Sequence, residues 1–138
     1  MTSPIESSPI AGDVRLTIAI DALQATTNPE RFGKAEYLLS MKVAGLERWQ
    51  SERPFHVGEG GTVPIGVTFD VEVDAETKYL DIEVHAAEQD WLSPDDHARG
   101  HVRIYRSAGF DAARGFVVPI RGEDTEIELR CSVATLAR

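Results

Sequence analysis

A single cysteine, Cys131, rules out an intrachain disulfide framework for this chain of 138 residues. Basic residues are scarce beside acidic ones: 14 Lys and Arg face 23 Asp and Glu, leaving a net charge of −9. That balance excludes an ordinary nucleic-acid binder, which needs a basic face to displace counterions from phosphate. No run approaches the ~18 apolar residues of a membrane-spanning helix. The first nine residues, Met1 to Pro9, hold neither the basic nor the apolar segment of a signal peptide. A soluble, cytoplasmic protein is the expectation. No Gly-x-Ser-x-Gly elbow occurs, and Gly58-Glu-Gly-Gly61 lacks the Lys-Ser/Thr that completes a phosphate-cradling loop. Helical periodicity over three turns is missing as well.

What the chain does have is alternation. Residues 1–12 are rich in Ser, Pro and Gly and read as a flexible tail. From residue 13 to 138 the pattern is that of one domain, large enough to bury about two thirds of its unfolded surface. Val14, Leu16, Ile18, Ile20 and Ala22 share one face, with Arg15, Thr17, Ala19 and Asp21 on the other. Tyr37–Val43, Val67–Val73, Leu80–Val84 and Ile127–Val133 repeat this period of two. Shorter strands are expected at Glu47–Gln50, at Val102 and Ile104, and at Phe116–Ile120, with at most one helical turn at Ala112–Arg114. About eight short strands between Gly, Pro and Asp turns predict an all-β fold, an antiparallel β-sandwich. Leu16, Ile18, Ile20, Leu39, Phe69, Ile82, Val84 and Leu129 are the expected core.

The order of these signals resembles a C2 domain. Leu16-Thr-Ile-Ala-Ile-Asp-Ala-Leu23 is similar to that family's opening strand and turn, and Tyr37 follows Ala22 at the spacing of the family's Asp-Pro-Tyr motif. Val63-Pro64-Ile65 with Thr68-Phe69-Asp70 resembles the Asn-Pro-x-Trp … Phe-x-Phe stretch. Leu80-Asp-Ile-Glu-Val84 and then Asp95-Asp96 … Gly100 resembles Leu-x-Ile-x-Val … Asp-Asp-x-x-Gly. The likeness spans residues 13–134 and implies an eight-stranded C2-like sandwich whose loop end binds a membrane or a protein.

In that family, loop aspartates chelate calcium, which takes six to eight oxygen ligands. Here the two loop-one aspartates fall on Pro29 and Ala35, with Asn28, Glu30 and Glu36 nearby as replacements. The third loop keeps the spacing better, through Glu88, Asp90 and Asp96. Those three acids are the candidate metal ligands, for weak calcium. No cofactor is otherwise required, and the plainer reading is a solvated acidic loop.

The same loop carries an apolar pair, Trp91-Leu92, between Asp90 and Asp95. The pair is either a plug folded onto the sandwich or a tip offered to a partner, since tryptophan presents large area with one polar handle. Asp90, Trp91, Leu92 and Asp95 are the candidate partner-binding residues. At −9 the domain is repelled by an anionic bilayer, so a phospholipid membrane requires calcium, and a protein partner is favoured. The expected protein is cytoplasmic, at most peripheral to a membrane. Lys42, Arg48 and Arg53 read as ordinary sheet surface because Glu47 and Glu52 interrupt them. A metal site or an enzyme built from the acidic loop with His85, His97 and His101 is the minor alternative; the main expectation is a non-catalytic interaction module.

Overall fold

The computed structural model describes residues 10–27, 35–57, 61–88, 96–122 and 126–137. Nine strands lie among them: β1 (Val14–Thr27), β2 (Ala35–Val43), β3 (Leu46–Gln50), β4 (Phe55–Val57), β5 (Thr62–Val73), β6 (Tyr79–Glu88), β7 (Asp96–Tyr105), β8 (Phe116–Gly122) and β9 (Glu126–Ala137). A short 3-10 segment, Arg106–Asp111, follows β7. One turn also closes at the expected Ala112–Arg114, where the Gly115 N–H donates to the Asp111 carbonyl at 2.7 Å, just after the chain passes Gly109, Phe110 and Asp111 in left-handed conformations (φ 64°, 52° and 59°).

All pairings are antiparallel, in the order β3-β2-β6-β7-β8-β9-β1-β5, with β4 pairing β2 off this path. The two halves, β3-β2-β6-β7 and β8-β9-β1-β5, meet at the register pairs Ala98↔Gly122 and Arg99↔Arg121. Glycine permits this junction: a Cβ on Gly100 would sit 2.2 Å from the Pro119 carbonyl oxygen, and one on Gly122 2.6 Å from that of His97. The β2–β3 hairpin turns through Ala44 and Gly45 (φ 52° and 81°), the left-handed pair that a two-residue turn between twisted strands demands.

The inner faces form one core. Leu16, Ile18, Ile20, Leu39, Ile82, Val84 and Leu129 are buried, as the alternation requires, with Tyr37, Met41, Phe110, Val118 and Ile120 beside them. Phe69 departs from expectation and is partly buried, because β5 is an edge strand with β1 as its one paired neighbour. Ala22 is half-buried too: a register shift between Ile20 and Ala22 turns Leu23 and Ala25 inward instead. β5 begins five residues earlier than Val67, running through Pro64 and Gly66, which an edge strand tolerates. Cys131 lies in the core at 5% exposure, and burial together with Asp21 pushes its thiol up to about 12. It is a packing residue, inert at neutral pH.

Candidate functional site

Strand β7 decides where the polar chemistry goes. Its inner face carries the small residues Ala98 and Gly100 with Val102 and Ile104, so His97, Arg99, His101 and Arg103 all project outward. Register sets each beside a β6 residue: Ala87↔His97, His85↔Arg99, Glu83↔His101 and Asp81↔Arg103. On the far side β6 meets β2 through Ser40↔His85 and Lys42↔Glu83. The result is a shallow cavity of about 510 Å³ on the outer sheet face, lined by Ser40, Lys42, Glu83, Val84, His85, Arg99, Gly100 and His101.

Two clusters of this face are held in place. Asp81 accepts from Arg103 Nε at 2.8 Å and contacts His101 Nε2 at 3.0 Å, and those two contacts hold its carboxyl below the usual range. The Arg103 guanidinium also lies 3.8 Å over the Tyr79 ring, which leaves it little freedom. Across the face, His85 Nε2 and His97 Nδ1 are 2.8 Å apart with their rings stacked, centroids 4.9 Å apart and planes 19° apart. Burial, then the positive neighbours His97 and Arg99, keep the His85 pKa below that of an ordinary imidazole. Lys42 and Arg99, by contrast, make no ion pair among the described residues. Two permanent cations therefore share the cavity with the single carboxylate of Glu83.

Asp90, Trp91, Leu92 and Asp95 lie outside the described residues, as do Asn28, Pro29 and Glu30 of the first loop. Of the three candidate calcium ligands, Asp90 is also outside, Asp96 is described by its backbone, and Glu88 is buried at 3% exposure on the inner side of β6. An inward carboxylate does not make an open chelating loop by itself, and among the described residues no three chelating side chains converge. Among these residues too, no helix is long and apolar enough to cross a membrane.

Comparison with solved structures settles the architecture. A C2 domain of a plant extended synaptotagmin 1 superposes with a TM-score of 0.57 at 11% identity, over 94% of this chain and 97% of that one. A C2 domain protein of Ramazzottius varieornatus matches at 0.52 and 14% identity, over 94% and 91%. This chain has the fold of a C2 domain. Human GIVD cytosolic phospholipase A2 matches at 0.58 and 13% identity, over 96% of this chain but 17% of the phospholipase. No family model and no curated protein matches the sequence. Within the C2 fold, Lys42, His85, His97 and His101 were each visible in the sequence, but the β2-β6-β7 face they share was not, because they come from separate strands. The usable signal was the run His97-x-Arg99-x-His101-x-Arg103, four basic or basic-capable side chains on one side of a strand.

Proposed function

We propose that this C2-fold domain is a non-catalytic docking module that holds a phosphate-bearing headgroup of an anionic membrane on the outer face of β2, β6 and β7. The observation that carries this reading is the pair Lys42 and Arg99, free of ion pairs among the described residues, in one cavity with His85 and His101. Arg99 offers the planar fork that bonds phosphate oxygens in pairs, and Lys42 adds a point charge. The net charge of −9 narrows the ligand further. Overall repulsion is screened beyond about 8 Å, so a dense charge seated in the cavity is favoured over a diffuse anionic surface. A polyphosphorylated headgroup has that density. The test is sedimentation with phosphatidylcholine vesicles, with and without phosphatidylinositol bisphosphate, in chelator. Two basic residues at ~1 kcal/mol each predict that Lys42→Gln with Arg99→Gln weakens binding about 30-fold. Unchanged binding by this folded double variant would sink the reading.

A second reading keeps a protein partner at the loop end. Glu88 pairs in register with Asp96, so residues 89–95 connect two paired strand ends, and their sequence holds Asp90, Trp91, Leu92 and Asp95. An apolar pair among acids suits a partner pocket rimmed by Arg or Lys, the acids steering encounter. Calcium at Glu88, Asp90 and Asp96 would instead turn that end toward phospholipid. Trp91→Ala is expected to weaken partner capture by at least ~2 kcal/mol, with an unchanged melt. A lowered melting temperature with intact capture would make Trp91 a core plug.

A further inference from the structure

The headgroup reading leaves the stacked histidines unused. A contact of 2.8 Å between two imidazole nitrogens has room for one hydrogen, donated by one ring and accepted by the other. Charging both rings fully would aim two N–H groups at each other and open the pair. The groups around it are few. Strand β2 contributes Ser40 and Lys42, β6 contributes Asp81 and Glu83, β7 contributes Arg99, His101 and Arg103, and β8 contributes Arg121, opposite Arg99 and 3.8 Å from the Glu126 carboxylate of β9. Asp81 is already engaged by Arg103 and His101. Glu83 lies one register row away, opposite Lys42 on one side and His101 on the other. Opposite His85 itself stands Arg99. The pair therefore faces like charge, and a counter-anion in the cavity would complete it.

We propose that His85, held by its contact with His97, is a proton switch on this site, so that a phosphomonoester binds with proton uptake and more tightly as the pH falls from 8 to 6. The proposal rests on the reading of the face as a phosphate site. In the empty domain the rings bond each other; in the filled one they separate, and His85, the ring that lines the cavity, donates an N–H to a phosphate oxygen. His97 stands outside the cavity lining, so it acts through His85. The low pKa of His85 follows from the same burial and positive neighbours, which a bound dianion offsets. The sign for stability is consistent. The unfolded chain takes up this proton first, near pH 6.5, so the empty domain loses stability as the pH drops through that value, and phosphate restores it. Below about pH 6 the phosphomonoester itself gains a proton, and the gain in affinity levels off.

The experiment measures binding of soluble inositol trisphosphate, and of vesicles containing phosphatidylinositol bisphosphate, at pH 8 and pH 6. Wild type is expected to bind both about tenfold more tightly at pH 6, one proton per bound phosphate being ample for that change. In His97→Gln, and separately in His85→Gln, the ratio between the two pH values should fall below about twofold, and in His97→Gln the His85 imidazole should titrate in one simple step by NMR. A tenfold ratio retained in both folded variants overturns the switch. If that happens while Lys42→Gln with Arg99→Gln abolishes binding, the phosphate face stands without it. Should the Lys42/Arg99 variant bind like wild type, the face reading itself fails. Soluble phosphate bound with the switch intact, and vesicles ignored, would overturn the membrane source and keep the proton switch.

Discussion

Arg106→Ala is expected to lower the melting temperature by roughly 10–20 °C, through a loss of about 4 kcal/mol. The side chain is 7% exposed and joins three segments far apart in the chain. Its Nε donates to the Thr77 carbonyl at 2.7 Å, Nη1 to the carbonyls of Ile10 and Gly12 at 3.0 and 2.7 Å, and Nη2 to that of Asp74. Its own backbone N–H donates to the Lys78 carbonyl at 2.8 Å, while the guanidinium lies 5.4 Å from the Phe110 ring. Alanine keeps the backbone bond and takes the charged donor from four carbonyls, of which, among the described residues, only that of Asp74 still accepts an amide, from Thr77 at 3.2 Å. Each such hydrogen bond contributes about 1.5–3 kcal/mol, and they are not additive. The β5–β6 turn persists in part, because Asp74 Oδ1 accepts from the Glu76 and Thr77 amides and the Thr77 hydroxyl independently. Arg106→Lys restores less than half of the loss, since one ammonium cannot span three segments. Thermal melts followed by circular dichroism check this, and a fall under ~3 °C would refute the staple.

Ile82→Ala should cost about 2–5 kcal/mol, from lost transfer energy and the cavity left behind. Ile82 is 0% exposed at the middle of β6, with Val43 and Val102 as its register partners on either side. Both neighbouring strands are held by their own ladders, so the site has little scope to collapse. Two faces of one strand then respond differently. His85, three residues on, faces outward, so the folded fraction of Ile82→Ala should bind phosphate as wild type does. Denaturant titration at constant slope reports the stability loss. A cost below ~1 kcal/mol would mean that the neighbours fill the gap.

The architecture was legible wherever a strand alternates apolar and polar residues over most of its length. β2, β6 and β9 do so, and their inward residues Leu39, Ile82 and Leu129 are buried as expected. Strand β7 hid half its length because its inner face at Ala98 and Gly100 is too small to give an apolar signal. β5 hid its start because Pro64 and Gly66 are strand breakers everywhere but at an edge. The candidate site was legible in its members, not in its assembly. His85, His97 and His101 were visible as chemistry, yet Lys42 and Arg99 joined them through register pairs that local sequence does not reveal.

Composition and the period of two are properties of neighbouring residues, and they alone determined an acidic, all-β sandwich with Cys131 inside. Tertiary structure decided which polar groups meet. His85 and His97 are twelve positions apart, and Arg106 reaches carbonyls 94 and 96 positions away. Such meetings depend on strand register, on the bulge after Ile20 and on the two glycines that let β7 close on β8. A shift of one residue in any ladder would turn the opposite side chains outward, so the basic face exists only in the folded register.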